Sequence, residues 1–145
     1  MRDSELAVRE SVRDLLARYN FYGDRGRFDE LLELFADEAT LVTDGATYVG
    51  RAAIRQLFTG AVDDDPQRIR HFTSTVVIDL VADDRVTARS YFQVLAGAGL
   101  DHWGTYRDVV VRLDGQWRLA RREVRVDGMT PGGWAERRMH GHDAP

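Results

Sequence analysis

The residues able to do chemistry in this chain of 145 are few. Cys is absent and all 20 basic residues are Arg. That removes thiolate nucleophiles, Cys-based metal sites, Schiff-base lysines and the P-loop lysine. Catalysis must draw on His, Asp, Glu, Tyr, Ser, Thr or Arg. Asp24 sits in Gly23-Asp24-Arg25-Gly26 and His71 in Arg70-His71-Phe72-Thr73. Separately, each has an ordinary structural reading: a turn or cap residue for Asp24, a satisfied polar group at a strand end for His71. Together they would form a carboxylate–imidazole dyad, in which the Asp holds the tautomer and raises the basicity of the His for proton abstraction. An imidazole base is protonated in acid, so activity is expected to fall below about pH 6.

Other polar signals are weaker. Tyr19, on an apolar helix face, reads as a core aromatic. Arg121, Arg122 and Arg125 crowd one strand, where most would be solvated. His140-x-His142-Asp143 reads as a surface pair on a tail, not a metal site, and Asp63-Asp64-Asp65 as a solvated loop. Trp103, Trp117 and Trp134 are expected to pack the core or close a pocket mouth. No metal is expected. Arg89 and Asp101 do not fall in register for an Asp-Arg-Asp arrangement.

The elements that would position these residues follow from periodicity. Leu6, Val12, Leu15, Leu16, Tyr19 and Tyr22 recur at helical steps, and Gly23 and Gly26 bracket a break. A second short helix places Phe28, Leu31, Leu32 and Phe35 on one face. Residues 40–43 look extended and turn at Asp44-Gly45; Gly50 then precedes a third helix with Ile54, Leu57 and Phe58 inward. After the Asp63–Pro66 loop the chain reads as strands over 69–81, 86–95, 102–113 and 116–126. Asp114-Gly115 marks a tight hairpin between the last two. Helices first and an antiparallel meander afterwards predict an α+β fold, with helices on one face of a sheet. Residues 1–127 read as a single domain and 128–145 as a loosely ordered tail.

Net charge is −4 and pI about 5.5, so no basic footprint favours nucleic acid or an anionic membrane. No apolar run approaches 18 residues and the N-terminal stretch is too polar for a secretory signal; the expectation is a cytoplasmic protein.

Tyr19-x4-Asp24-Arg25-Gly26-Arg27-Phe28-Asp29-Glu30-Leu31, then Leu34-Phe35, Asp37 and Ala39, resembles the opening of SnoaL-like proteins in the nuclear transport factor 2-like superfamily. His71-Phe72 ahead of a Thr/Val strand, and Gly104-Thr105-Tyr106 through Asp114-Gly115-Gln116-Trp117-Arg118, continue the likeness across about residues 5–127. The resemblance implies a cone-shaped, curved antiparallel sheet around N-terminal helices, enclosing a ligand cavity. The subgroup containing scytalone dehydratase, bile-acid dehydratase and hexachlorocyclohexane dehydrochlorinase is the most similar. It implies that His71 is the base and Asp24 its support, with no cofactor. Tyr19 corresponds to the bile-acid dehydratase tyrosine, a proton donor, and Arg122 to a pocket arginine suited to a departing anion. His102, Trp103 and Tyr106 are expected to line the substrate pocket, His102 as a second acid. Two departures separate the chain from scytalone dehydratase: Gly23 stands where that enzyme has Tyr, and only apolar or small residues lie near Ala96 where it has a second His. The expected activity is a dehydratase-like lyase or isomerase acting on a small apolar or polycyclic substrate of polyketide or steroid type. A polyketide cyclase, or a non-catalytic small-molecule-binding or assembly module, is the alternative. Relatives imply a homodimer or higher homo-oligomer.

Overall fold

The computed structural model describes residues 2–60 and 69–141. Helix α1 (Asp3–Asp24) buries Val12, Leu15, Leu16 and Tyr19 along one stripe, while Leu6 at its N-terminal end stays half exposed. Its end is set by Gly26. With φ at +66°, Gly26 lets the Arg27 N–H reach the Tyr22 carbonyl at 3.0 Å and its own N–H reach the Gly23 carbonyl at 3.2 Å. This is a Schellman stop, and it makes Asp24 the last helical residue instead of a residue inside the break.

Helix α2 (Phe28–Glu33) buries Leu31 and Leu32. Phe35, expected on its face, instead opens strand β1 (Phe35–Thr43) and is fully buried. The Leu34 carbonyl just before it accepts the Leu119 N–H at 2.8 Å, which draws the chain out of the helix and into the sheet. A tight turn with Asp44 and Gly45 both at positive φ leads into the short strand β2 (Ala46–Val49), followed by α3 (Arg51–Gly60). The meander then runs through β3 (Arg70–Ala82), β4 (Arg85–Ala96), β5 (Gly99–Leu113) and β6 (Gln116–Met129).

The six strands lie in the order β2-β1-β6-β5-β4-β3. The meander is antiparallel as expected, but β1 runs parallel to β6, so the curved sheet is mixed. Hairpins deliver antiparallel neighbours only; β1 meets β6 across most of the chain, where no turn constrains direction. Helices α1 and α3 pack on the sheet, and their apolar faces meet Ile78, Val86, Phe92, Val94, Val110 and Leu119 in a shared core.

The segment from Gly128 onward is not the expected loose tail in its described part. Strand β6 continues to Met129, and after a turn with Gly132 at positive φ the chain forms α4 (Trp134–Gly141) against β5. The Pro131-Gly132-Gly133 run supplies the turn, and buried carboxylate bonds described below hold the helix.

Candidate active site

The Schellman stop aims Asp24 at the start of β3. Its Oδ1 lies 2.6 Å from His71 Nδ1, and its Oδ2 accepts the His71 backbone N–H at 2.9 Å. The carboxylate is nearly buried, 5% exposed, while the imidazole is 32% exposed. An ionised carboxylate only accepts, so Nδ1 carries the hydrogen and Nε2 is left with a free lone pair.

The same helix seals the edge of the sheet. Among the described residues β3 has no neighbouring strand on its outer side, and α1 answers its polar groups in turn. Besides Asp24 at His71, Asn20 Nδ2 donates to Thr73 Oγ1 at 2.6 Å and Arg9 donates to the Ile78 carbonyl at 2.6 Å. Between α1 and this edge runs a groove of about 450 Å³ that Asp24 and His71 border, walled by Leu16, Phe21 and Phe72.

On the interior side the imidazole of His71 faces that of His102, with ring centres 6.4 Å apart and planes at 86°. A continuous aromatic run follows. His102 meets Phe92 edge-on at 6.0 Å, Phe92 stacks on Tyr106 at 4.5 Å, and Tyr106 meets Tyr19 at 6.0 Å. Gly104 makes this run possible. It pairs with Phe92 across the strands, and a Cβ there would fall 2.8 Å from the Phe92 ring and 1.9 Å from the Arg125 carbonyl oxygen.

Arg122 lies at the far end, fully buried, its guanidinium carbon 4.1 Å from the Tyr19 ring centre and 3.9 Å from that of Tyr106. Asp108, directly opposite on β5, takes Nε at 2.7 Å and Nη2 at 2.8 Å; Nη1 has no hydrogen-bond partner among the described residues. Arg122 reaches the interior because Ala120 is an extra residue on β6. Leu119 pairs with Val110 and Arg121 with Val109, so Leu119 and Arg122 both point inward.

Burial and charge set the protonation states. Burial raises Tyr19 above the usual phenol range, partly opposed by the Arg122 cation. Tyr106 is raised by burial and then by Tyr19. Both phenols therefore keep their protons. Burial acts against the charge on Arg122, but Asp108's charge and hydrogen bonds outweigh it and hold the guanidinium firmly cationic. Burial lowers His102 below the ordinary imidazole value, against the pull of Asp101.

The fold thus gathers Asp24, His71, Tyr19, His102, Tyr106 and Arg122. Trp103 is a correction. It points to the outer face, 39% exposed, and lies over Gly128, where a Cβ would sit 2.3 Å from the indole. Side chains alternate along a strand, so with His102 and Gly104 inward Trp103 must face out. Trp134, by contrast, stacks on His102 with centres 6.0 Å apart and planes at 19°.

Sequence reasoning missed Asp108 and discounted Asp101. Asp101-His102 reads as two neighbours on opposite faces, yet both are buried. The register shifts between Val94↔His102 and Leu95↔Leu100, which makes Asp101 a bulge residue and turns it inward. Arg89 instead meets Asp79 on the outer surface at 3.8 Å. Asp63, Asp64 and Asp65, and His142 and Asp143 of the tail motif, lie outside the described residues. Among the described residues no group of three or more His, Cys, Asp or Glu is placed to hold a metal ion, and no helix is long and apolar enough to cross a membrane.

A curved six-stranded sheet carrying N-terminal helices, with an Asp–His pair where α1 meets β3, defines a nuclear transport factor 2-like α+β protein. The SnoaL-like domain family matches residues 4–123, and the chain belongs to that family. No functionally curated protein matches the sequence. Among solved structures the chain is similar to a protein provisionally named a scytalone dehydratase from Novosphingobium aromaticivorans, with 25% identity over 90% of this chain and 91% of that one and a TM-score of 0.79. It is also similar to a protein from Catenulispora acidiphila, with 29% identity, coverage of 87% and 96%, and a TM-score of 0.78. Hexachlorocyclohexane dehydrochlorinase LinA-type3 from Novosphingobium barchaimii shares the fold, at 22% identity, coverage of 88% and 92%, and a TM-score of 0.77.

Proposed function

We propose that this chain is a cofactor-independent lyase or isomerase, dehydration being its first reaction, with His71 as the base and Asp24 as its support. The observation that carries the reading is the 2.6 Å contact between Asp24 and His71 Nδ1, which leaves Nε2 free to take a proton. His71 Nε2 removes the hydrogen of a C–H next to a carbonyl, and Asp24 stabilises the imidazolium that forms. Tyr19, kept protonated by burial, donates a hydrogen bond to the oxygen on which charge develops. In dehydration the C–O bond breaks as the C=C bond forms, and the proton held on His71 leaves with the hydroxide as water. In isomerisation the same proton returns to another carbon, and in cyclisation the carbanion attacks a second carbonyl. Arg122, bound to Asp108 and packed on Tyr19 and Tyr106, holds both phenols in place. The groove beside the dyad, walled by Leu16, Phe21 and Phe72, supports an apolar or polycyclic substrate.

The test is a panel of polycyclic and aryl β-hydroxy ketones, followed by the absorbance of the conjugated enone. His71→Asn and Asp24→Asn are expected to lose about 10²–10⁴-fold in kcat/KM with unchanged thermal stability and secondary structure. Turnover by either variant at the wild-type rate would remove the dyad from the mechanism.

The outer face of β3, β4 and β5 exposes Phe72, Val77, Val81, Tyr91 and Trp103, and this supports a homodimer through the sheet.

A further inference from the structure

The proposed mechanism makes no use of Asp101, although its carboxylate is one of the most heavily engaged in the fold. It is 3% exposed and sits at the β5 bulge. Oδ2 lies 2.7 Å from His102 Nδ1 and accepts the Ala135 N–H at 3.1 Å, while Oδ1 accepts the Trp134 N–H at 2.5 Å. Its backbone carbonyl accepts the Thr130 N–H at 2.7 Å. The first two amides of α4 are thus answered by one buried side chain, and the Trp134 ring stacks on the imidazole that this side chain orients. Space is tight: a Cβ at Gly133 would fall 2.6 Å from Asp101 Oδ1 and 3.0 Å from the Thr130 carbonyl oxygen.

We propose that Asp101 is a positioning residue that fixes His102 as the Nδ1–H tautomer, and that this tautomer depends on helix α4 being docked on the same carboxylate. The chemistry follows from the acceptor-only character of a carboxylate. With Nδ1–H donated to Asp101, His102 presents Nε2 as an acceptor. Two imidazoles, 6.4 Å apart and each anchored at Nδ1 by its own Asp, then border the site. His71 uses its lone pair on a C–H, whereas His102 uses its own to accept a hydrogen bond. Resting on the reading of His71 as base, this narrows the substrate class to carbonyl compounds that also bring a hydroxyl donor to the His102 end. The expectation that His102 is a second acid is replaced by an acceptor role.

The tautomers are read directly by long-range ¹H–¹⁵N NMR of the full chain at neutral pH. His102 in the wild type is expected to show a protonated Nδ1 and a bare Nε2. In Asp101→Asn the side-chain amide donates to Nδ1 instead, and the hydrogen is expected to move to Nε2. Gly133→Ala, which crowds α4 off the carboxylate, and Ala135→Pro, which deletes one amide donor at a first-turn position that tolerates Pro, are expected to give mixed tautomers at His102. His71 should keep its Nδ1–H form in all three, which also reports that the fold is intact. A wild-type His102 protonated at Nε2 would overturn the proposal. A change in Asp101→Asn but none in either α4 variant would overturn the dependence on α4. Loss of the Nδ1–H form at His71 alone would count against the proposed base and leave Asp101 standing.

Discussion

Asp24 and Asp108 show how one residue type does two kinds of work here. Asp24 is nearly buried but turns its carboxylate to an imidazole that stays partly exposed, which leaves the ring open to the proton transfer proposed above. Asp108 is sealed against Arg122, both fully buried, and can exchange nothing. Its work is structural, because the guanidinium it holds is the platform for the Tyr19 and Tyr106 rings. Removing one partner leaves an uncompensated buried charge, and Arg122→Met is expected to destabilise the fold by about 3–5 kcal/mol in urea denaturation. The double variant Arg122→Met/Asp108→Leu is expected to regain most of that loss, since an apolar pair of similar volume avoids desolvating two ions. A double variant no more stable than the single would show that the pair is worth more than its burial costs.

At the scale of elements, the site depends on where helices stop and where strands bulge. Gly26 ends α1 one residue after the C-cap, and Asp24 reaches β3 only because the helix ends there. Gly26→Ala forces a Cβ into the left-handed region, at a cost of about 1 kcal/mol. We expect a fall in thermal midpoint of several degrees and a fall in kcat/KM, measured on the same ketone panel, as Asp24 loses its fixed approach to His71. An unchanged midpoint would mean that the stop is set by the packing of α2 instead. Bulges act in the same way on the strands: the one at Ala120 turns Arg122 inward and the one at Asp101 turns that carboxylate inward. Regular alternation would have left each on the opposite face.

At the scale of the molecule, stability and assembly follow from what is buried and what is left bare. His102 binds a proton more weakly folded than unfolded, because burial outweighs the pull of Asp101. Below about pH 6.5 the unfolded chain therefore binds more protons, and stability rises with pH. The contribution is complete above that value and is lost as pH falls through the lower folded value. The thermal midpoint is expected to drop between about pH 7 and pH 5, and His102→Gln is expected to flatten that slope; an equal slope in both would assign the effect to other groups. The bare outer sheet face leads to a second expectation. Light scattering after size exclusion should give twice the chain mass of 16.5 kDa, and charges at Tyr91 and Trp103 (Tyr91→Lys, Trp103→Lys) should give the monomer. A wild-type monomer at high concentration would rule out the sheet face as an interface.

The sequence by itself determined the succession of the first three helices and the four-stranded meander, the helical stripe of α1 and the Asp-Gly turns, because these rest on periodicity and local backbone preference, while β2 and α4 escaped it. It also pointed to Asp24 and His71, since a glycine-bounded helix end and a strand start are local features. It did not determine the parallel β1–β6 ladder, which no turn enforces, or the docking of α4, whose anchor lies on β5. Nor did it determine the facing of Trp103, Arg122 and Asp101. A single bulge reverses a strand's inside and outside, and bulges are placed by pairing with distant strands that a linear reading does not contain. Tertiary structure alone decided which of the polar residues stand together.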